Sequence, residues 1–151
     1  VRSYQHGVKN IRVVRRLSSA PLYVLGDANQ LTQVLMNIVM NAEDALGERR
    51  GGDITITTES GSKWGRLIIS DTGKGISEEN LQKIFFPFFT TKKHTQRSGL
   101  GLSVCYGIIT RHHGFIRAES NQDGGATFIV ELPVSQPKLK RASVSGSGDK
   151  Q

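Results

Sequence analysis

Hydrophobic positions along the chain follow two periods. From Asp27 to about Leu46 the period is helical: Leu31, Val34, Leu35, Ile38, Ala42 and Ala45 form one apolar stripe. Asp27, three residues before Gln30, gives a capping-box signature and places the helix start. Elsewhere the period is two. Ile11–Leu17 alternates imperfectly and reads as a strand, and Pro21–Val24 as a short strand or extended approach. In Asp53–Glu59, Ile54 and Ile56 alternate with Thr55 and Thr57. Arg66–Ser70 follows across a turn at Ser60–Gly65, so the pair predicts a hairpin. Ser77-Glu78-Glu79 predicts an N-capped short helix through Ile84, with early acids suited to the dipole and Pro87 as its stop. Thr90–Ser98 is polar and basic and reads as a mobile loop. A helix over Gly101–His113, a strand over Phe115–Ser120, a Gly124-Gly125 turn and a strand over Thr127–Leu132 complete the pattern, and Pro133 ends it. Strands mixed with three helices on one side predict an α+β two-layer sandwich, not the regular alternation of a Rossmann sheet.

Composition narrows the class. A chain of 151 residues, 36% hydrophobic and 22% charged, suits one globular domain with a real core. The domain is expected over residues 1–134, with 1–9 a remnant of a preceding helix or linker and 135–151 a disordered basic tail. Val1 is not an initiator methionine, so the chain reads as a fragment or processed product. Its apolar runs fall short of the ~20 residues that cross a bilayer, and no leader pattern opens it. The expectation is a cytoplasmic fragment without membrane contact, a membrane-anchored parent being left open. Lone Cys105 excludes an internal disulfide, and among Val104, Ile108 and Ile109 it reads as a small buried hydrophobe. The four histidines and the cysteine show no zinc spacing. Net charge is +7, but Lys138, Lys140, Arg141 and Lys150 against Asp149 place much of it in the tail. Arg12, Arg15 and Arg16 read as a solvated strand face, so no nucleic-acid partner is expected.

Candidate chemistry lies at three places. Asp71-Thr72-Gly73-Lys74-Gly75-Ile76 follows the apolar run Leu67-Ile68-Ile69, so a strand delivers a carboxylate into a glycine turn. That arrangement lets backbone approach a flat or charged ligand closely. The first helix carries a second stripe. Gln30, Gln33, Asn37, Asn41 and Asp44 fall within roughly 80° of arc at 100° per residue. Amide oxygens on a rigid helix are reasonable ligands for Mg²⁺. Gly99-Leu100-Gly101-Leu102 opens the last helix, whose free N–H groups suit an anion, and Lys92, Lys93 and Arg97 precede it as a phosphate-closing lid would. No P-loop and no dinucleotide glycine fingerprint occurs. Phe85-Phe86-Pro87-Phe88-Phe89 reads as a hinge anchoring that lid.

Taken in order, Asn37–Ala42, Asp71–Ile76, Phe85–Lys92 and Gly99–Ser103 resemble the N, G1, F and G2 boxes of sensor histidine kinases. Gly125-Ala126-Thr127-Phe128 with Glu131-Leu132-Pro133 is similar to the end of their ATP-binding domain. The resemblance covers roughly residues 10–133 and is closest to kinases of the nitrogen-regulation kind. It implies the Bergerat fold of the GHKL superfamily, a mixed sheet of about five strands with three helices on one face, and ATP with Mg²⁺ as ligands. By that likeness Asn41 holds the metal, Asn37 lies toward the phosphates, and Asp71 accepts from the adenine amino group. Gly73 and Gly75 let the backbone pass the base beside Ile76, and Thr127 supports the same edge directly or through water. Gly99, Leu100, Gly101 and Leu102 place amides at the phosphates. Lys92, Lys93 and Arg97 are candidate phosphate cations read from the residues themselves, not from the likeness. Two departures stand out: Phe86 where these kinases usually have an acid, and Arg97 where another glycine often stands.

Relatives that hydrolyse ATP, such as gyrase, Hsp90 and MutL, carry a Glu one turn before the magnesium Asn. Here that position is Asn37, which cannot take a proton from water. The resemblance therefore implies γ-phosphoryl transfer to a histidine on a dimerisation domain of the same parent protein, with a response regulator downstream. No His-Glu/Asp-x-x-x-Pro occurs; His6 lacks that context, and His112-His113-Gly114 reads as a helix-to-strand corner. The alternatives are a non-catalytic nucleotide-sensing or adaptor module and a serine kinase of the anti-sigma type.

Overall fold

The computed structural model describes residues 2–6, 10–47, 51–89 and 101–135. Its strands are β1 (Arg2–His6), β2 (Ile11–Arg16), β3 (Gly52–Ser60), β4 (Trp64–Asp71), β5 (Phe115–Ser120) and β6 (Ala126–Pro133). The helices are α1 (Ala28–Gly47), α2 (Glu78–Leu81) and α3 (Gly101–Arg111). The strands form one sheet in the order β1-β2-β3-β4-β6-β5. Only β2 and β3 run parallel, with α1 crossing between them, and the other neighbours are antiparallel.

Five of the strands match the alternation in the sequence. The sixth, β1, puts a strand over Arg2–His6, within the 1–9 stretch expected to be the remnant of a preceding helix or linker; residues 1 and 7–9 lie outside the described residues. Arg2–His6 pairs antiparallel with β2, Tyr4 opposite Val13, and forms the sheet edge. Pro21–Val24 contributes a single bridge, Val24 to Val134.

Helix α1 begins as its cap residue dictates. Asp27 Oδ1 accepts the N–H groups of Asn29 at 2.8 Å and Gln30 at 3.0 Å. Val34, Ile38, Ala42 and Leu46, one turn apart, are buried. They meet Ile54 of β3, Ile69 of β4, and Phe128 and Val130 of β6 in one core. Cys105, Ile108 and Ile109 of α3 join the same core. The Cys105 thiol lies 3.8 Å from the Val34 carbonyl, and burial pushes its pKa up to about 11, as suits a small hydrophobe rather than a nucleophile. His112 ties the two long helices together. Its Nε2 accepts the Asp27 N–H at 3.0 Å, so Nδ1 carries the proton that faces the Ile108 carbonyl at 2.8 Å. The expected corner follows, with His113 in the left-handed region and Gly114 N–H returning to Ile109.

Helix α2 is shorter than the sequence predicts. Ser77 has extended backbone but its hydroxyl makes no capping bond, and turns rather than helix carry the chain past Leu81. The aromatic segment divides: Phe85 and Phe89 pack on the core, whereas Phe86 and Phe88 are 61% and 75% exposed. The opposite sheet face carries a charge ladder, Glu59–Arg66–Glu131–Arg117–Glu119, spanning four strands. Arg12 is bonded there to Asp53, whereas alternation along β2 turns Arg15 to the helix side, so the basic cluster is not one face.

Among the described residues, no helix is long and apolar enough to cross a membrane.

Candidate functional site

The C-terminal end of β4 delivers Asp71 under α1. Among the described residues it is the one charged residue in the core, 3% exposed. Two main-chain donors converge on its Oδ1, Gly73 N–H at 2.8 Å and Ala126 N–H at 3.3 Å. Its Oδ2 has no such partner among the described residues. Burial holds the carboxyl above the usual carboxylate range, and the two N–H groups oppose that shift. A buried acid with one oxygen fixed and the other open is built to read a donor brought from outside.

The glycine turn is made by close packing. A Cβ on Gly73 would lie 2.8 Å from both the Asp71 carboxylate and Ala45 of α1. Gly75 has φ +76° and abuts Gly125 and Ser120. Ile76 then turns into the core periphery, and its N–H reaches Ser120 Oγ at 3.4 Å.

On α1, Asn37 and Asn41 stand one turn apart, as the polar stripe predicts. The Asn41 amide nitrogen donates to the Asn37 carbonyl at 2.9 Å. Asn37 donates its own amide to the Gly101 carbonyl at 3.1 Å, joining α1 to the first residue of α3. Leu102 packs against the core beside it. An amide oxygen is a hard ligand of the kind Mg²⁺ takes. The described residues contain no cluster of three or more His, Cys, Asp or Glu that could cage a metal. Lys92, Lys93, Arg97, Gly99 and Leu100 lie outside the described residues.

Thr127 is the site residue that the structure moves. Alternation along β6 sends Ala126 toward the Asp71 carboxylate and Thr127 through the sheet to the other face. There its hydroxyl meets Ser70 Oγ at 2.9 Å and Asn121 Oδ1 at 2.7 Å. The expected support of a base edge by Thr127 therefore fails, and the main-chain N–H of Ala126 stands beside Asp71 instead. Gly125, φ +93°, is the other participant that sequence reasoning missed. A Cβ there would overlap the Asp71 carbonyl oxygen, so only glycine lets β6 start so near β4. The Gly124-Gly125 pair just before a strand was the available signal.

The chain belongs to the family of histidine kinase-, DNA gyrase B- and HSP90-like ATPases, whose profile matches residues 26–136. Within it, the similarity is to histidine kinases. Sensor histidine kinase ZraS of Escherichia coli K12 is 38% identical over 112 residues, 74% of this chain and 23% of ZraS. Sporulation kinase C of Bacillus subtilis is 38% identical over 109 residues, 72% of this chain and 24% of that kinase. The chain thus spans about a quarter of the length of these curated relatives. The nucleotide-free catalytic domain of histidine kinase ThkA superposes with a TM-score of 0.73 at 39% identity, covering 83% of this chain and 81% of that one. ThkA solved in complex with the response regulator TrrA matches with a TM-score of 0.69 at 38% identity, over 85% of this chain and 36% of that one.

Proposed function

We propose that this domain binds Mg-ATP and hands its γ-phosphoryl group to a histidine on a dimerisation domain of the parent protein, in a cytoplasmic two-component pathway that ends on a response regulator. The observation that carries the reading is Asp71, held by Gly73 and Ala126 through Oδ1 with Oδ2 left to accept from the adenine amino group. Asn41 offers Oδ1 to the metal, which when bound would neutralise phosphate charge. Asn37 offers an amide where a water-activating base would be needed for hydrolysis, and an amide takes no proton. The domain therefore holds the triphosphate, presents an amide rather than a base at Asn37 and leaves the γ-phosphoryl to an outside nucleophile. Lys92 and Arg97 are proposed as the cations that meet the phosphates.

The test pairs the domain with a histidine-bearing dimerisation domain from a close relative and γ-labelled ATP. Label that stays on the partner in base and leaves it in acid marks a phosphohistidine and supports the reading. Acid-stable label would point to a serine acceptor. Absence of nucleotide binding by the domain alone would refute the proposal.

A further inference from the structure

Asn121 opens the turn between β5 and β6, on the sheet face away from the Asp71 carboxylate. Its side chain nevertheless reaches across to β4. Nδ2 donates to Ser70 Oγ at 3.2 Å and to the Asp71 carbonyl at 3.2 Å, one amide proton for each acceptor. Oδ1 accepts from Thr127 Oγ1 at 2.7 Å, and the Thr127 and Ser70 hydroxyls are 2.9 Å apart. One proton arrangement satisfies the whole set. Ser70 donates to Thr127, Thr127 to Asn121, and Asn121 back to Ser70, with the second amide proton left for Asp71. Each hydroxyl then gives one bond and takes one, and a closed ring of this kind is stiffer than its members taken singly.

The main chain of Asn121 adds a second hold. Its N–H donates to the Gly125 carbonyl at 3.0 Å, and its carbonyl accepts from Gly124 N–H at 3.2 Å. That closes the turn that seats Gly125 against the Asp71 carbonyl and brings the Ala126 N–H to Asp71 Oδ1. The bond to the Asp71 carbonyl holds one end of the peptide leading to Thr72 and Gly73, whose N–H is the other donor to Oδ1; the other end, Thr72 N–H, donates to the Asp53 carbonyl at 3.1 Å. Both groups that aim the carboxylate thus sit on backbone that Asn121 pins. A turn asparagine serving only its own loop would bond locally; this one bonds a strand fifty residues earlier in the sequence.

We propose that Asn121 is a positioning residue for base recognition, acting from behind the sheet to keep Asp71 Oδ2 aimed at the purine amino group. The proposal rests on the nucleotide reading above. Its test is the ratio of affinities for Mg-ATP and Mg-inosine triphosphate, measured by calorimetry on the whole chain. Inosine carries an oxygen where adenine carries the amino group, so the ratio reads the aim of Asp71 and not the integrity of the fold. Wild type should prefer ATP. Asn121→Ala should lower ATP affinity about tenfold, the size of one misaligned charged hydrogen bond, while inosine triphosphate binding holds, so the ratio falls by the same factor. Asn121→Asp, which keeps the shape but loses both N–H groups, should behave alike. If either variant fails to fold, Thr127→Val and Ser70→Ala break the ring further away and should each lower the ratio by a few-fold. A wild-type ratio kept in the folded variants, or equal losses for both nucleotides, overturns the positioning role and leaves the ATP reading intact. A wild type that binds both nucleotides equally overturns base recognition by Asp71, and this role with it.

Discussion

Asn37 of α1 and Gly101 of α3 are joined by a 3.1 Å hydrogen bond from side-chain amide to carbonyl. The bond links the helix of the proposed metal ligand to the helix that opens the proposed phosphate site. A half-buried bond of this kind is worth about 0.5–1.5 kcal/mol. Asn37→Ala should therefore lower stability by about 1 kcal/mol in chemical denaturation and weaken ATP binding with it. Asn37→Asp should cost more, because its carboxylate would face the Gly101 carbonyl.

Asp71 should separate binding from stability. Asp71→Asn keeps an oxygen for Gly73 and Ala126 but presents an amide to the adenine amino group. Calorimetry should show ATP affinity reduced by about 1–3 kcal/mol, the cost of losing a charged acceptor. Thermal unfolding without nucleotide should show no loss at pH 7, because the substitution removes a buried charge.

The same residue sets opposite pH trends. Burial raises its folded-state pKa above the unfolded value. Its contribution to stability is therefore full in acid, below the unfolded pKa, and is lost as pH rises through the folded pKa. ATP binding needs the ionised form, so affinity should weaken as pH falls through that raised value. Parallel titrations of wild type and Asp71→Asn should show both trends flattened in the variant.

Two glycines should respond in opposite directions to alanine. Gly125→Ala meets the Asp71 carbonyl at a left-handed φ of +93° and should destabilise by more than about 2 kcal/mol, losing ATP binding as well. Gly107, inside α3, has only Arg111 Nη1 at 3.7 Å from a new Cβ. Gly107→Ala should stabilise by about 0.5–1 kcal/mol through helix propensity. Melting curves of the pair decide both.

Much of the candidate site's layout was legible because side chains announce it. Asp27, the α1 stripe and Asp71 at the end of an apolar run each carry a local chemical reason for their place. What escaped lies in the backbone or in register. Ala126 acts through its N–H, which any residue but proline possesses, and Gly125 through the absence of a side chain. Thr127 was misplaced because one step along a strand reverses the face, and only the pairing of Ser70 with Thr127 shows which way it points. Strand β1 was missed because Arg2–His6 has little alternation and depends on β2 for its hydrogen bonds. The Ser77 cap was expected from residue type alone, and the serine spends its carbonyl, not its hydroxyl, on the first turn of α2.

The parallel pairing of β2 with β3 makes α1 a bridge that the sheet cannot do without. Asn41 sits on that bridge and Asp71 two strands further along the chain, so a nucleotide gripping both would act as a clasp on segments brought together only by folding. Occupancy should then show itself as resistance to heat. At a hundredfold excess over Kd the gain is about 2.7 kcal/mol, enough to rank nucleotides and variants by melting temperature alone.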